Sequence, residues 1–260
     1  MKIGFLGTGK IAAPMVRSIA RRFDSADIVV SHRSANVSSG LTSEYRNVSA
    51  AENQVVLDRS DIVFLCLLEG QARDVLPSLS FRPAHSIVSA MAGITLADLR
   101  PLVAPADTVC VTVPLPFIND GHCPLPVYPQ SRLLSYLFGD ENEVLTIQSE
   151  EGINDHFAAT AILSTVVKQL EVVSRWLGAH TGNDASAEQY VAMLVRGFIN
   201  SIEKDRPGCF TEAISELTTK GGLNEQLLTH NTDSGHFAHL SRGLDDLRVR
   251  LQDTHSGTET

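Results

Sequence analysis

Two glycines near the start of the chain have the spacing of a turn that can hold a phosphate group. Residues 7–12 read Gly-Thr-Gly-Lys-Ile-Ala, which fits the pattern G-x-G-x-x-[G/A]. The first glycine permits a tight turn, the second lets the backbone approach a pyrophosphate, and the final small residue lets a helix pack closely on a sheet. A pyrophosphate would then meet exposed N–H groups at the helix N-terminus. A turn that binds nothing is the alternative, but we expect ligand contacts from Gly7, Thr8, Gly9, Lys10 and Ile11.

The residues after the second predicted strand indicate which dinucleotide binds. Enzymes that use NAD usually have an acidic residue there, which binds the ribose 2′-hydroxyl. This chain has Ser31, His32, Arg33 and Ser34 instead. The guanidinium of Arg33 can bind a 2′-phosphate in a forked geometry, and the hydroxyls of Ser31 and Ser34 can add donors. The segment therefore favours NADP(H), with a solvated surface arginine as the alternative.

A second pair of glycines lies far along the chain and suggests a substrate loop. Gly221 and Gly222 would free a turn whose backbone N–H groups can bind a carboxylate. Hydroxyl and amide side chains nearby can donate further hydrogen bonds, and a lysine would favour an acidic substrate. Alternatively these glycines form a helix cap, and the same glycines could serve both as a cap and as a carboxylate-binding turn. We expect the reacting molecule to be contacted by Thr218, Thr219, Lys220 and Asn224.

Other polar residues in the second half of the chain have structural interpretations. Lys168 is expected to be solvated or paired with Glu171, and His156 to be a structural histidine. His236 and His239 share a helical face, but no third ligand follows at a metal-binding spacing. We therefore expect no metal site.

The first 149 residues alternate strand-like and helix-like patterns. Apolar runs predict buried strands at residues 3–6, 27–31, 62–67, 86–89 and 108–113, with helices between them. Five prolines exclude regular helix from residues 114–129, and one more helix and a strand at 144–148 close the sheet. This alternation predicts an α/β domain with a doubly wound parallel sheet, the Rossmann arrangement.

From residue 150 the pattern becomes helical. Periodicity predicts helices over residues 155–177, 184–202, 210–217 and 236–251. We therefore expect a dinucleotide-binding Rossmann domain at residues 1–149 and an all-helical domain at residues 150–260.

Composition limits the classes of partner and compartment. The 260 residues carry a formal net charge of −9 and no long basic run, which argues against nucleic acid or an anionic membrane as partner. No leader segment and no run of about 18 apolar residues is visible, so we expect no membrane span. The four cysteines have neither metal-binding nor disulfide spacing. These features point to the cytoplasm.

The chain resembles the pyrroline-5-carboxylate reductase family along nearly its whole length. Residues 1–12 look like the start of that family, with Lys10 in place of an asparagine, and residues 61–67 match its fourth-strand motif. Residues 89–94 are similar to the family's Ser-x-x-Ala-Gly-Ile turn, which lies beside the nicotinamide ribose. The resemblance implies a homodimer whose helical domains interlock. It also implies further cofactor contacts at Asn53, Cys66, Leu67, Leu68, Ala92, Gly93 and Pro114.

Three substrate motifs of that family are altered. They correspond here to residues 110–116, 158–164 and 219–225, and only the first proline and the paired glycines are kept. The resemblance implies an NADPH-dependent reductase that transfers a hydride to a C=N bond, or less readily a C=O bond, of a small carboxylated substrate. A non-catalytic NADP(H)-binding sensor or scaffold on the same fold is the alternative.

Overall fold

An eight-stranded sheet forms the N-terminal part of the chain. The computed structural model describes residues 1–32, 35–203 and 206–252. The strands are β1 (Lys2–Leu6), β2 (Asp27–Ser31), β3 (Val48–Ala51), β4 (Ile62–Leu65), β5 (Ser86–Ser89), β6 (Thr108–Thr112), β7 (Pro124–Tyr128) and β8 (Glu143–Thr146). Their order across the sheet is β3-β2-β1-β4-β5-β6-β7-β8, and only the β6–β7 pair is antiparallel. This arrangement confirms the predicted doubly wound sheet.

Helices cover both faces of this sheet. They are α1 (Ala12–Arg22), α2 (Ala35–Glu44), α3 (Asn53–Arg59), α4 (Glu69–Val75), α5 (Leu96–Val103), α6 (Arg132–Phe138) and α7 (Glu150–Ala159). Successive strand residues point to opposite faces, so Phe5 and Leu6 enter two separate apolar cores. On the first face Phe5 stacks on Phe64, with ring centroids 4.6 Å apart. Burial on both faces explains why these strands are continuously apolar in sequence.

The chain divides into two compact units. Among the described residues the first comprises Met1–Ala158 together with residues 248–252, and the second is Ala159–Leu247. The first unit thus extends past the expected boundary at residue 149, because α7 buries Ile153 in the second core of the sheet unit. The remaining helices are α8 (Ile162–Thr181), α9 (Asp184–Ser201), α10 (Cys209–Leu217), α11 (Leu223–Asp233) and α12 (His236–Gln252). The all-helical character predicted for the C-terminal part is confirmed.

Several elements differ from the sequence-based expectation. The segments α2, β3 and α11 were not predicted, and the helix expected over residues 155–177 is divided into α7 and α8. The proline-rich stretch contains β7, where the Pro126 carbonyl accepts the backbone N–H of Val113 at 3.2 Å. A proline can join a ladder in this way because only its N–H is missing.

One helical stretch is long and apolar enough to cross a membrane when judged by length and composition alone. It is Glu150–Thr181, whose most apolar 18-residue window has a mean hydropathy of 1.3 and is 11% buried. No such stretch was predicted from the sequence. Length and composition do not separate a membrane-crossing helix from a helix covered by another protein surface.

Candidate functional site

The glycine turn follows β1 and is held by two constraints that only glycine satisfies. Gly7 has a φ of +92°, a conformation that residues with a Cβ rarely adopt. A Cβ at this position would lie 2.4 Å from the carbonyl oxygen of Cys66, inside contact distance. A Cβ at Gly9, by contrast, would meet no atom within 4 Å. The turn is therefore packed against β4 at Gly7 and open at Gly9, where a ligand can approach the backbone.

The helix that follows the turn presents an uncapped N-terminus. Ile11 occupies the N-cap position without a side-chain hydrogen bond, and the first turn of α1 contains no acidic residue. The first N–H groups of a helix have no partner within the helix, and the helix dipole makes this end attractive to anions. Ala12 is fully buried, so α1 lies close to the sheet. This end of α1 fits a pyrophosphate.

Two buried hydroxyl groups connect the glycine turn to the end of β2. The Gly7 N–H donates to Ser31 Oγ at 3.0 Å, and Thr8 Oγ1 donates to the Ser31 carbonyl at 2.8 Å. Thr8 and Ser31 are each only 1% exposed, which is as buried as residues of the apolar core. The Ser31 hydroxyl thus faces Gly7 and is shielded from solvent, and its predicted contact with a 2′-phosphate stays a prediction. Ser31 is a positioning residue for the turn.

The rest of the proposed 2′-phosphate segment is only partly described. His32 is exposed directly after β2. Arg33 and Ser34 lie outside the described residues, so their predicted contacts with a 2′-phosphate stay predictions. Backbone pairing of β1 with both β2 and β4 places the glycine turn between these strand ends.

The other residues assigned to the cofactor follow the carboxyl ends of β4, β5 and β6 or begin α3. Cys66 and Leu67 leave β4, and burial raises the pKa of the Cys66 thiol to about 12, so the thiol stays protonated. Leu68 is 71% exposed.

The other predicted cofactor residues lie beyond β5 and β6 or at the start of α3. Gly93 has a φ of +82° in the turn after β5, and Pro114 is buried just beyond β6. Asn53 is the first residue of α3, and Ala92 is exposed beside Gly93.

These strand ends share one edge of the sheet. The strand order reverses direction between β1 and β4, and open α/β sheets bind ligands outside the carboxyl ends of their strands at such a switch point. The predicted cofactor residues of the described chain are thus placed at the edge where a dinucleotide fits.

The predicted substrate loop connects α10 to α11 in the second unit. Thr218 Oγ1 donates to the Ile214 carbonyl at 2.8 Å, and Asn224 Nδ2 donates to the Leu217 carbonyl at 3.3 Å. Both groups cap the end of α10, which agrees with the helix-cap alternative. Thr219 and Lys220 are exposed, and within the described chain neither side chain has a recorded hydrogen bond or ion pair.

The remaining polar candidates are placed in local structural roles. Lys168 Nζ donates to Glu171 at 2.5 Å, as the pairing interpretation expected, and this contact lowers the pKa of the Glu171 carboxyl. His156 Nδ1 lies 2.7 Å from the Gly152 carbonyl within α7. Among the described residues no cluster of three or more His, Cys, Asp or Glu is arranged to hold a metal ion.

Sequence reasoning missed one residue of the substrate loop. Glu225 Oε2 accepts the backbone N–H of Gly221 at 2.5 Å. A signal was present, because an acidic residue in the first turn of a helix commonly reaches back to the N–H groups that precede it.

Comparisons with known proteins identify related domains and folds. Residues 2–93 match the family described as NADP oxidoreductase coenzyme F420-dependent. A search of curated proteins finds no match. Among solved structures, the chain is similar to 1-pyrroline-5-carboxylate reductase from Streptococcus pyogenes, with a TM-score of 0.80 and 21% identity over 96% of this chain and 98% of that chain.

Two further solved structures share the fold. Pyrroline carboxylate reductase from Plasmodium falciparum, solved with NADP bound, has a TM-score of 0.81 and 14% identity, covering 98% of each chain. Reductive aminase from Aspergillus terreus, in complex with NADPH and ethyl-5-oxohexanoate, has a TM-score of 0.61 and 13% identity over 96% of this chain and 92% of that chain. The predicted resemblance is confirmed at the level of the fold: the chain is pyrroline-5-carboxylate reductase-like in fold, and its residues 2–93 match an NADP oxidoreductase family.

Proposed function

We propose that this pyrroline-5-carboxylate reductase-like oxidoreductase binds NADP(H) and reduces a C=N bond in a small carboxylated substrate. The observation that carries the proposal is the uncapped N-terminus of α1 behind an open Gly9, at the switch point of the sheet. Bound NADPH supplies the hydride, and the protein supplies binding and orientation.

The residues of the chain have separate roles in this proposal. Gly9 and the first turn of α1 hold the pyrophosphate, and Ser31 fixes the turn through the Gly7 N–H. Arg33 binds the 2′-phosphate, and no acid stands at the end of β2 to repel it. The turn at Gly93 supports the nicotinamide half. The residues present therefore fit a phosphorylated dinucleotide.

The pairing of Lys168 is compatible with the proposed C=N reduction. Reduction of a ketone places negative charge on oxygen, and a strong donor such as a lysine stabilises that charge. Lys168, the lysine of α8, instead donates to Glu171, which Arg175 also contacts at 2.8 Å. Hydride addition to a protonated imine gives a neutral amine, so no negative charge develops and no such donor is needed.

We further propose that the active form is a homodimer joined through the helical unit. Within the described residues α11 and α12 have no buried side chain, and few side chains of α8 to α10 are buried. Large apolar side chains along α8 are exposed instead, namely Leu163, Val166, Val167, Val172, Val173 and Trp176. Many exposed large apolar side chains on one helix are typical of an interface, and a second copy of the chain is the simplest partner.

The function is tested by adding NADPH and a panel of cyclic imines and 2-oxo acids to the purified chain. We expect oxidation of NADPH with at least one imine and slower oxidation with every oxo acid. Tight NADPH binding without oxidation by any member of the panel would favour the sensor or scaffold alternative, which the altered substrate motifs also allow.

A further inference from the structure

The helix that follows β5 is held at its N-terminus by a residue from a distant part of the chain. Helix α5 begins at Leu96, whose backbone N–H donates to Glu150 Oε1 at 2.5 Å. Glu150 lies 54 positions further along the chain and is the first residue of α7. The N–H groups of a first helical turn have no partner within the helix, and the helix dipole favours a carboxylate at this end. The contact therefore joins two elements of the sheet unit.

Local capping of α5 does not depend on this contact. Thr95 occupies the N-cap position, and its Oγ1 accepts the backbone N–H of Asp98 at 3.2 Å. Asp98 also places an acidic group in the first turn of the helix. A helix end with its own cap and its own acid is already stabilised. What Glu150 adds is a connection between the start of α5 and α7.

Helix α7 is itself fixed to the sheet unit. The Gly152 N–H donates to Ser149 Oγ at 3.0 Å, which caps the start of α7. Ile153 is 1% exposed within the second core, and Phe157 is partly buried against the same core. Because packing holds the backbone of α7 in place, the carboxylate of Glu150 is supplied from a fixed point.

The segment that leads into α5 is the turn at the carboxyl end of β5. It comprises residues 90–95 and contains Gly93, which is buried and has a φ of +82°. The start of the turn is tied to the sheet, because the Ala90 N–H donates to the Leu65 carbonyl at the end of β4 at 2.9 Å. Its far end runs directly into the helix that Glu150 holds. The turn is therefore anchored at both ends.

This turn lies where the nicotinamide half of a dinucleotide is expected. In a doubly wound sheet the adenosine ribose lies at the carboxyl end of β2, and the pyrophosphate lies at the N-terminus of α1, beside β1. The strand order β2-β1-β4-β5 then directs the nicotinamide half away from β2, toward the ends of β4 and β5. A displacement of residues 90–95 would thus affect the nicotinamide half and leave the adenosine half unchanged.

We propose that Glu150 is a positioning residue for the nicotinamide half of the cofactor. Its carboxylate holds the Leu96 N–H, and through it the turn at residues 90–95, in one position at the carboxyl edge of the sheet. The proposal rests on the proposed function, since it concerns the same dinucleotide site. Precise placement matters for hydride transfer, because a misplacement of about 1 Å can lower a reaction rate about 100-fold.

Titration of the full-length Glu150→Ala variant with two nucleotides tests the proposal. NADPH carries both halves, whereas adenosine 2′,5′-bisphosphate carries only the adenosine half. We expect the Kd of NADPH to rise at least about fivefold, because hydrogen bonds to charged groups contribute this much or more. The Kd of adenosine 2′,5′-bisphosphate should not change. Equal changes for both nucleotides, or no change for either, would overturn the proposal, since a merely destabilised sheet unit treats the two alike.

Two further variants separate the contact from a general effect of mutating α7. Glu150→Gln keeps an oxygen that can accept the Leu96 N–H, so it should restore most of the NADPH affinity. Glu151→Ala, at the next and exposed position of the same helix, is the matched control and should bind both nucleotides as the wild type does. A loss in Glu151→Ala equal to that in Glu150→Ala, or no recovery in Glu150→Gln, would overturn the role of Glu150.

Turnover gives a second readout of the same contact. With any imine that the wild-type chain reduces, Glu150→Ala should lower kcat at least about tenfold and leave the KM of the imine nearly unchanged, because the nicotinamide and not the imine is misplaced. An unchanged kcat would contradict the proposal. Failure of the proposed function is distinct: a wild-type chain that binds NADPH but reduces no imine would refute that function, and the titrations would still decide the role of Glu150.

Discussion

Replacing Ser31 with alanine removes the oxygen that accepts the Gly7 N–H. The Thr8 hydroxyl keeps its acceptor in this variant, because it donates to the Ser31 backbone carbonyl. The change leaves one buried backbone N–H at the start of the glycine turn without an acceptor, and it also removes the 3.3 Å contact between Ser31 Oγ and Thr8 Oγ1. Alanine has no atom that can replace the lost acceptor.

The magnitude follows from that single unsatisfied group. A buried N–H left without a partner costs about 1–3 kcal/mol. For a unit of this size that corresponds to a decrease in Tm of about 2–10 °C. The same change loosens the turn that both dinucleotides contact, so the Kd values for NADPH and NADH should rise by similar factors.

Thermal unfolding and nucleotide titration of Ser31→Ala measure these effects. Ser49→Ala is the matched control, because Ser49 is on the neighbouring strand β3 and its buried hydroxyl finds no hydrogen-bond partner in the described structure. We expect the control to keep wild-type stability and affinity. Equal behaviour of the two variants, or a loss confined to NADPH in Ser31→Ala, would refute the positioning role.

Three further predictions concern selectivity, pH and assembly. Arg33→Ala should weaken NADPH binding at least about tenfold, because a charge-assisted contact with the 2′-phosphate is lost. NADH has no 2′-phosphate, so its binding should change little. Equal losses of affinity in titrations with the two cofactors would contradict this prediction. Burial of His85, assisted by the nearby Arg82 charge, lowers the pKa of its imidazole below that in the unfolded chain, while Asp61 opposes the shift. The unfolded chain then binds the proton more tightly, so the free energy of unfolding measured in urea should fall below about pH 6.5 and level off above it. His85→Gln should flatten this dependence, and an unchanged slope would exclude His85 as its source. Trp176→Glu places a charge on the exposed face of α8 and should convert the dimer to a monomer in light scattering.

Matched controls separate these effects from loss of folding. Lys10→Ala removes an exposed charge of the glycine turn outside the 2′-phosphate segment, so it should weaken the binding of NADPH and NADH by similar factors.

The dimer prediction has its own contradicting results. A wild-type chain that is already monomeric, or that floats with lipid vesicles, would contradict the assignment of the α8 face to a second copy.

The parallel strands were predictable because they are buried on both faces and therefore apolar throughout. β4 is fully buried and reads as an uninterrupted apolar run. Strand β3 escaped prediction because it is short, rich in Ser and Ala, and mostly half-buried. Helix α2 contains Ser, Thr and Gly, which are weak helix formers, and buries only Ser38 and Leu41. Packing on the sheet unit, rather than local preference, specifies these two elements.

The candidate site was predictable only where its signals are local. The turn at Gly7 and Gly9 is recognisable because backbone conformation dictates residue type within a few positions. The role of Ser31 was not predictable, because the Gly7 contact depends on which strand lies beside β1. The sequence could not decide between an open anion site and a helix cap at the α10–α11 loop, since glycines are compatible with both, and the structure shows the cap.

The transfer of deuterium from labelled NADPH to an imine tests the central claim most directly. The full-length chain is incubated with each cyclic imine of the panel and with NADPH that carries deuterium at both positions of nicotinamide C4, and the amine is analysed by mass spectrometry. The account predicts an amine that carries deuterium on the former imine carbon. Bound NADPH that keeps its deuterium, with no labelled amine from any imine of the panel, would contradict it.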